Sequence, residues 1–235
     1  MPETRAMRPI ARIHSQFPGK FGIPRQSGLV PALRATVVLE PAFRNPDALR
    51  GLEGFSHIWL LWEFSQAVRE GWSPTVRPPR LGGNARLGVF ATRSPFRPNP
   101  IGLSPVRLEA VRQDARLGPV LDVSGADLMD GTPIFDIKPY LPYVDCIPDA
   151  AGGFAPGPAE VLQVACPPEL LARVPAESRE ALLGVLAQDP RPRYQKDPAR
   201  VYAMDFAGLT VRFTAADGVL TVTEISERRA CGEAL

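Results

Sequence analysis

The chain has 235 residues, 45% of them apolar, with 27 basic and 25 acidic side chains and a formal net charge of +2. This is enough apolar material for one large domain, or for a main domain with a smaller appendage, and it excludes a disordered polyelectrolyte. Cys146, Cys166 and Cys231 show no CxxC spacing and His14 and His57 lie far apart, so neither a disulfide scaffold nor a metal site is signalled; no apolar run approaches the roughly 18 residues that cross a bilayer. The amino-terminal residues lack the apolar stretch of a signal peptide, so a cytoplasmic protein is expected.

In chain order, residues 8 to 15, 35 to 40, 56 to 64, 86 to 92, 103 to 113 and 118 to 125 are short, β-branched, aromatic or alternating, and bounded by Gly, Pro or Asp. They are predicted strands. The run from Ser56 to Phe64 is nearly continuous in apolar character, which predicts cover on both faces, with Trp59 and Trp62 in the core and His57 as a buried, hydrogen-bonded histidine. Asn45 to Gly51 predicts one short helix, with Asn45 as N-cap, Pro46 in the first turn and Gly51 at the end. Many short strands with few helical patterns between them predict a mainly β fold, an antiparallel β-barrel over residues 1–150.

Residues 151–162 read as a linker, and residues 163–228 as a small α+β unit. Its helix is predicted over Pro175 to Gln188, with Leu182, Leu183 and Leu186 on one stripe and Pro190 as the stop. A three-stranded meander is predicted over 201 to 206, 209 to 214 and 219 to 225, and residues 229–235 as a frayed tail.

Two regions of opposite charge carry the chemistry. From Gly71 to Leu108 there are six arginines (Arg77, Arg80, Arg86, Arg93, Arg97 and Arg107) and no carboxylate, within a segment stiffened by prolines such as Pro98 and Pro100. An anion is the expected guest there. From Asp122 to Asp149 there are six aspartates and one cation, Lys138. Asp130-Gly131-Thr132-Pro133 has turn chemistry, so these aspartates either cap and turn the backbone or face a cationic ligand. No G-x-G-x-x-G, Walker-type, G-x-S-x-G or H-E-x-x-H motif is present, which argues against a Rossmann domain and against ordinary serine or zinc chemistry.

Six motifs then occur in a fixed order. They are Pro24-Arg25-Gln26, Gly54 to Trp59, Arg77 to Gly83, Gly88 to Pro95, Arg97 to Gly102 and Asp136-Ile137-Lys138-Pro139-Tyr140; Ala187 to Pro192 looks like the signature of a carboxy-terminal unit. Together they resemble the TrmO family, tRNA methyltransferases acting on N6-threonylcarbamoyladenosine at position 37. The resemblance implies an S-adenosylmethionine-dependent homodimer on a small non-Rossmann β-barrel, with the cofactor near the subunit interface. It places cofactor contacts on Pro24, Arg25, Gln26, Ser65, Gln66, Arg93, Ser104, Asp127, Leu128, Met129 and Asp130. Where relatives carry histidine this chain has Ser65, which leaves a backbone contact at that position.

Methyl transfer from a sulfonium is mainly a positioning problem, and the urea-like acceptor nitrogen needs help losing its proton. Asp136 and Tyr140 are the candidate proton acceptors, and Lys138 the group that stabilises charge on the carbamoyl oxygen. The Asp127 to Asp130 loop is expected to face the cationic end or the ribose of the cofactor, and Arg25 and Arg93 a carboxylate. Arg77, Arg80, Arg86 and Arg97 are expected on phosphates of the anticodon stem-loop, with Arg191 and Arg193 as further RNA contacts and Trp72 or Phe96 as stacking surfaces. Neither a metal nor a membrane partner is expected. The competing readings are an S-adenosylmethionine enzyme of the same architecture with another target, and a non-catalytic RNA-binding barrel, which the aspartate cluster disfavours.

Overall fold

The computed structural model describes residues 5–82, 85–192 and 197–228. Its strands are β1 (Ala11–His14), β2 (Arg34–Leu39), β3 (His57–Glu63), β4 (Thr75–Val76), β5 (Leu87–Gly88), β6 (Ile101–Asp114), β7 (Gly118–Ser124), β8 (Pro133–Pro139), β9 (Gln163–Ala165), β10 (Tyr202–Phe206), β11 (Leu209–Ala216) and β12 (Val219–Glu227). The helices are α1 (Pro142–Asp145), α2 (Pro168–Leu171) and α3 (Arg179–Ala187). The protein is mainly β.

Six strands hydrogen-bond in the order β1-β2-β7-β6-β3-β8, every pair antiparallel, and β8 returns to β1 through Ala11↔Ile134 and Arg12↔Pro133, so the sheet closes on itself. Side chains of a strand alternate between faces. On β3, Ile58, Leu60 and Trp62 point inward and are buried, while His57, Trp59, Leu61 and Glu63 lie half-buried on the outer face. This corrects the expectation of cover on both sides. Trp59 is not a core residue: its Nε1 donates to Asp145 Oδ2 at 2.9 Å, which holds α1 against the sheet. His57 is likewise half-buried, with Ser56 Oγ 3.0 Å from its Nδ1. Trp62 does enter the core, and Gly102 makes room for it, since a Cβ there would lie 2.2 Å from the indole.

Two further expectations change. Residues 86 to 92 form only the two-residue strand β5, paired with β4, before a 3-10 turn at Val89–Ala91 that leaves Phe90 exposed. The short helix after Asn45 is a 3-10 turn over Pro46–Leu49, capped by the Asn45 side chain, which accepts from the Asp47 N–H at 3.0 Å.

The second sheet has the order β10-β11-β12-β9. β9, absent from the predicted meander, adds in parallel to β12. Both hairpins turn through two residues at positive φ, Ala207-Gly208 and Asp217-Gly218, the conformation that matches strand twist in two-residue loops. Ala181, Leu182, Val185 and Leu186 of α3 are fully buried against this sheet. Phe17, Val30 and Leu33, from the segment between β1 and β2, belong to the same core.

Candidate functional site

The candidate cofactor residues gather at one end of the closed sheet, around residues 15–33. After β7, Gly125 turns at φ +74 and exchanges backbone hydrogen bonds with this segment: its N–H reaches Leu33 O at 2.9 Å, and its carbonyl accepts from Gly28 N–H at 2.8 Å. A Cβ on Gly125 would meet Gly28 Cα at 3.4 Å, so a small residue suits the crossing. The turn delivers Asp127 to Ser104, whose Oγ–H donates to Asp127 Oδ1 at 2.6 Å. Ser104 is buried on the inner face of β6 and its Oγ also accepts from Trp62 Nε1 at 3.0 Å. Burial pushes the Asp127 carboxyl above the usual aspartate range, against the Ser104 hydrogen bond, the Arg93 charge and the backbone N–H of Ser27, which favour the ionised form.

Arg93 donates to Gln26 Oε1, which joins the Pro24-Arg25-Gln26 segment to the basic region. Gln66 Nε2 donates to Met129 Sδ at 3.1 Å, and Lys20 Nζ holds the Gln66 carbonyl at 2.9 Å. Ser65 is exposed in the same 3-10 turn. Asp130 Oδ1 accepts from Ser15 N–H at 3.1 Å and faces His14 Nδ1 at 3.3 Å. Its own N–H reaches Phe17 O at 2.8 Å. Gly131, at φ +76, and the Thr132 N–H bond to Met129 O complete a turn, so the aspartate both shapes the loop and remains exposed. Leu128 is buried in the core, which leaves its backbone as the part that can meet a ligand.

Asp136, Lys138 and Tyr140 stand elsewhere. Asp136 Oδ2 pairs with Lys138 Nζ at 2.9 Å, and the Tyr140 ring lies 5.6 Å from Trp59 and 6.1 Å from His57. Leu61 on β3 faces Leu103 and Asp136, whereas Leu60 faces Ser104 and Ile137. Adjacent positions point to opposite faces, so Asp136 is outside where Ser104 is inside. Among the described residues no hydrogen bond or ion pair joins Asp136, Lys138 or Tyr140 to Arg93, Ser104 or Asp127. The outer face near them carries the exposed apolar residues Ile101, Leu103, Tyr143, Val144 and Ile147.

The basic segment is partly self-bonded. Arg97 Nη1 donates to Thr92 O at 2.7 Å and Val89 O at 3.3 Å, which organises its own loop. Arg86 reaches Thr75 Oγ1 at 3.4 Å, Arg80 reaches Gly157 O, and Arg77 is exposed. A guanidinium has five N–H donors, so one such bond leaves others for an anion. Trp72 and Phe90, 50% and 71% exposed, place their rings 5.9 Å apart at 32°, and Arg69 lies 3.8 Å above Phe96. Phe90 was missed because residues 86 to 92 look like a strand, in which an aromatic ring is ordinary packing. Ser27 carried no signal at all. Trp62 did: an indole N–H inside an apolar strand must find an acceptor, and here that acceptor is Ser104.

Arg191 is mostly buried and anchors the end of the helical segment: Nε donates to Asp189 Oδ1 at 2.8 Å, Nη2 to Asp189 Oδ2 at 3.1 Å and Nη1 to Ala215 O at 3.0 Å. Arg193 lies outside the described residues, as do residues 229–235. No group of three or more His, Cys, Asp or Glu that could hold a metal ion occurs among the described residues, and none of their helices is long and apolar enough to cross a membrane.

The tRNA-methyltransferase O N-terminal domain matches residues 12–146, and the TrmO C-terminal domain matches residues 159–228. The Escherichia coli K12 tRNA (adenine(37)-N6)-methyltransferase is 44% identical over 230 residues, covering 93% of this chain and 97% of that protein. A Pseudomonas aeruginosa protein with the provisional name S-adenosylmethionine-dependent methyltransferase RcsF is 45% identical, over 89% of this chain and 92% of its own length. The crystal structure of TrmO from Pseudomonas aeruginosa superposes with a TM-score of 0.78 at 38% identity, over 95% of this chain and 99% of that one. With both domains matched in order and relatives alike along nearly their whole length, the chain belongs to the tRNA-methyltransferase O family.

Proposed function

We propose that this protein is an S-adenosylmethionine-dependent methyltransferase that methylates N6 of threonylcarbamoyladenosine at position 37 of tRNA, in the cytoplasm. In this reading residues 1–150 form the catalytic β-barrel domain, residues 151–162 a linker and residues 163–228 the small α+β domain. The observation that carries it is the linked set Gln26, Arg93, Ser104 and Asp127, in a chain of this family.

The residues fit the cofactor. S-adenosylmethionine carries a sulfonium, an ammonium and a carboxylate close together, and when bound it supplies an electrophilic methyl group. A half-buried carboxyl such as Asp127 suits a cation of this kind, because the attraction is screened less there than at the surface. Arg93, which donates to the Gln26 amide oxygen, and Arg25, whose backbone carbonyl accepts from the Gln26 amide N–H, provide donors for the carboxylate end. Pro24 stiffens this segment, and the Ser65-Gln66 turn and Met129 border it. Asp130, exposed beside Ser15, is left for the ribose or the ammonium.

The proton chemistry falls to Asp136, Lys138 and Tyr140. Asp136 Oδ2, 2.9 Å from Lys138 Nζ, takes the N6 proton of the acceptor. The Lys138 ammonium then stands where negative charge grows on the carbamoyl oxygen. Tyr140 Oη lies on the same outer face as a second acceptor. Because this group and the Asp127 cluster sit on opposite faces of the sheet, the reading includes a homodimer in which one protomer's outer face meets the other's cofactor cluster. The exposed Ile101, Leu103 and Ile147 support such an interface. Arg77, Arg80 and Arg86 meet the phosphates of the anticodon stem-loop, Arg97 shapes the loop beside them, and the Trp72–Phe90 pair offers a stacking surface to an unpaired base. Arg191 acts as an anchor in this account.

The test is nucleoside mass spectrometry of tRNA from a strain deleted for the gene. Loss of the methyl mark on threonylcarbamoyladenosine, restored by the intact gene, is expected. An unchanged level of that nucleoside, with another methylated nucleoside lost instead, would assign the protein a different target.

A further inference from the structure

The nineteen residues between β1 and β2 contain no helix or strand. A segment of that length without regular structure is uncommon in a compact fold and has no ladder of its own to fix its shape. Here its shape comes from two bodies at once. On one side it gathers the candidate cofactor residues: Gln26 to Arg93, Lys20 to the Gln66 carbonyl, Ser15 Oγ to Leu128 O at 2.8 Å, and Gly28 to Gly125. On the other side it is buried in the core of the carboxy-terminal unit.

That burial is close. Phe17 packs edge-on against Phe206 at 5.4 Å between centroids, and Val30 and Leu33 are each 3% exposed in the same cluster. Gln16 Nε2 donates to Ser178 Oγ at 2.7 Å, and Gln16 O accepts from Ala207 N–H at 2.9 Å. Two glycines set the approach: a Cβ on Gly22 would fall 2.0 Å from Met204 Sδ, and one on Gly184 of α3 would fall 2.7 Å from Val30 Cγ1. Phe17 joins both sides within one residue, its ring in the carboxy-terminal core and its carbonyl on the Asp130 N–H.

We infer that the carboxy-terminal unit positions the methyl-donor site of its own chain, by completing a shared core with residues 15–33 and so holding Gln26 and the Asp127 to Asp130 loop in register. Val30, Gly184 and Met204 are then positioning residues that touch no substrate. The inference rests on the cofactor reading given above. Loosening the seam lowers the population of the binding-competent segment, and apparent affinity falls by that fraction. Turnover at saturating cofactor changes little.

The test uses the full chain and calorimetric titration with S-adenosylmethionine, alongside kcat, KM for the cofactor, and thermal unfolding. Gly184→Ala drives α3 into Val30 and is expected to raise Kd about fivefold or more, with kcat within about twofold. Adding Val30→Ala removes the clashing methyl and is expected to bring Kd back to within about twofold of wild type. Val222→Ala, on β12 in the same core, is expected to lower Tm with Kd unchanged. Should Gly184→Ala not fold, Val30→Ala alone serves, with a smaller rise in Kd expected. A Gly184→Ala or Val30→Ala protein that unfolds earlier but binds the cofactor as wild type does would overturn the inference. A wild-type protein that binds no S-adenosylmethionine would instead overturn the functional reading beneath it.

Discussion

Replacing Asp127 by asparagine separates the carboxylate's charge from its shape. Asn keeps an oxygen that can accept the Ser104 Oγ–H bond seen at 2.6 Å, so the relay from Trp62 Nε1 through Ser104 survives. What is lost is a negative charge held in a half-buried place. In the free protein that charge is costly, because burial outweighs Ser104 and Arg93 and leaves the folded-state pKa above the unfolded one. A carboxyl with a raised pKa stabilises the fold in its protonated form; that contribution is full below the ordinary aspartate range near 3.9 and disappears as pH rises through the folded-state value. Asp127→Asn is therefore expected to melt higher than wild type at neutral and alkaline pH, and the difference should close as the pH falls to where wild type is protonated. For a chain of this size each kcal/mol gained is about 2–4 °C in Tm. Cofactor affinity should move the other way. A hydrogen bond to a charged partner contributes about 1.5–3 kcal/mol, which is about 10- to 150-fold in Kd for S-adenosylmethionine. Thermal melts from pH 4 to 9 and calorimetric titration read both effects. A variant that melts lower at neutral pH and binds the cofactor normally would refute the argument.

Arg77→Ala should weaken tRNA binding, with the slope of log K against log salt falling by about 0.7 to 1 as one phosphate contact is removed; binding isotherms at four salt concentrations measure it. Trp72→Ala should cost about 1–3 kcal/mol of tRNA affinity through lost stacking and leave cofactor affinity alone, so filter binding and calorimetry must diverge. Arg191→Ala removes the donors serving Asp189 and the Ala215 carbonyl. It should lower stability by about 2 kcal/mol, about 4–8 °C in Tm, without changing tRNA affinity measured below the melting range.

Strands that alternate cleanly were legible in the sequence. On β6, Gly102, Ser104, Val106 and Leu108 turn inward between exposed neighbours, and the predicted span of 103 to 113 lies within it. β8 was not: a register shift where it pairs with β3, between Leu61 and Trp62, breaks the period of two between its inward residues Ile134 and Ile137, and Pro133 and Pro139 mimic a loop. β9 is three residues long and, among the described residues, pairs only with β12, far along the chain. At the site, Gln26, Arg93, Ser104 and Asp127 could be named from ordered motifs, but their linkage runs through the irregular residues 15–33. That segment takes its shape from Met204, Phe206 and Gly184, more than 150 residues away, which no local pattern encodes.

The most direct measurement is a reconstituted reaction of the purified protein, S-adenosylmethionine and tRNA, with position 37 read by mass spectrometry for tRNA bearing threonylcarbamoyladenosine and for the same tRNA with plain adenosine. The proposed function predicts a single added methyl group on the modified tRNA, absent with plain adenosine and sharply slowed in the Asp127→Asn and Asp136→Asn proteins. Methylation of both tRNAs alike, or of neither, would contradict it.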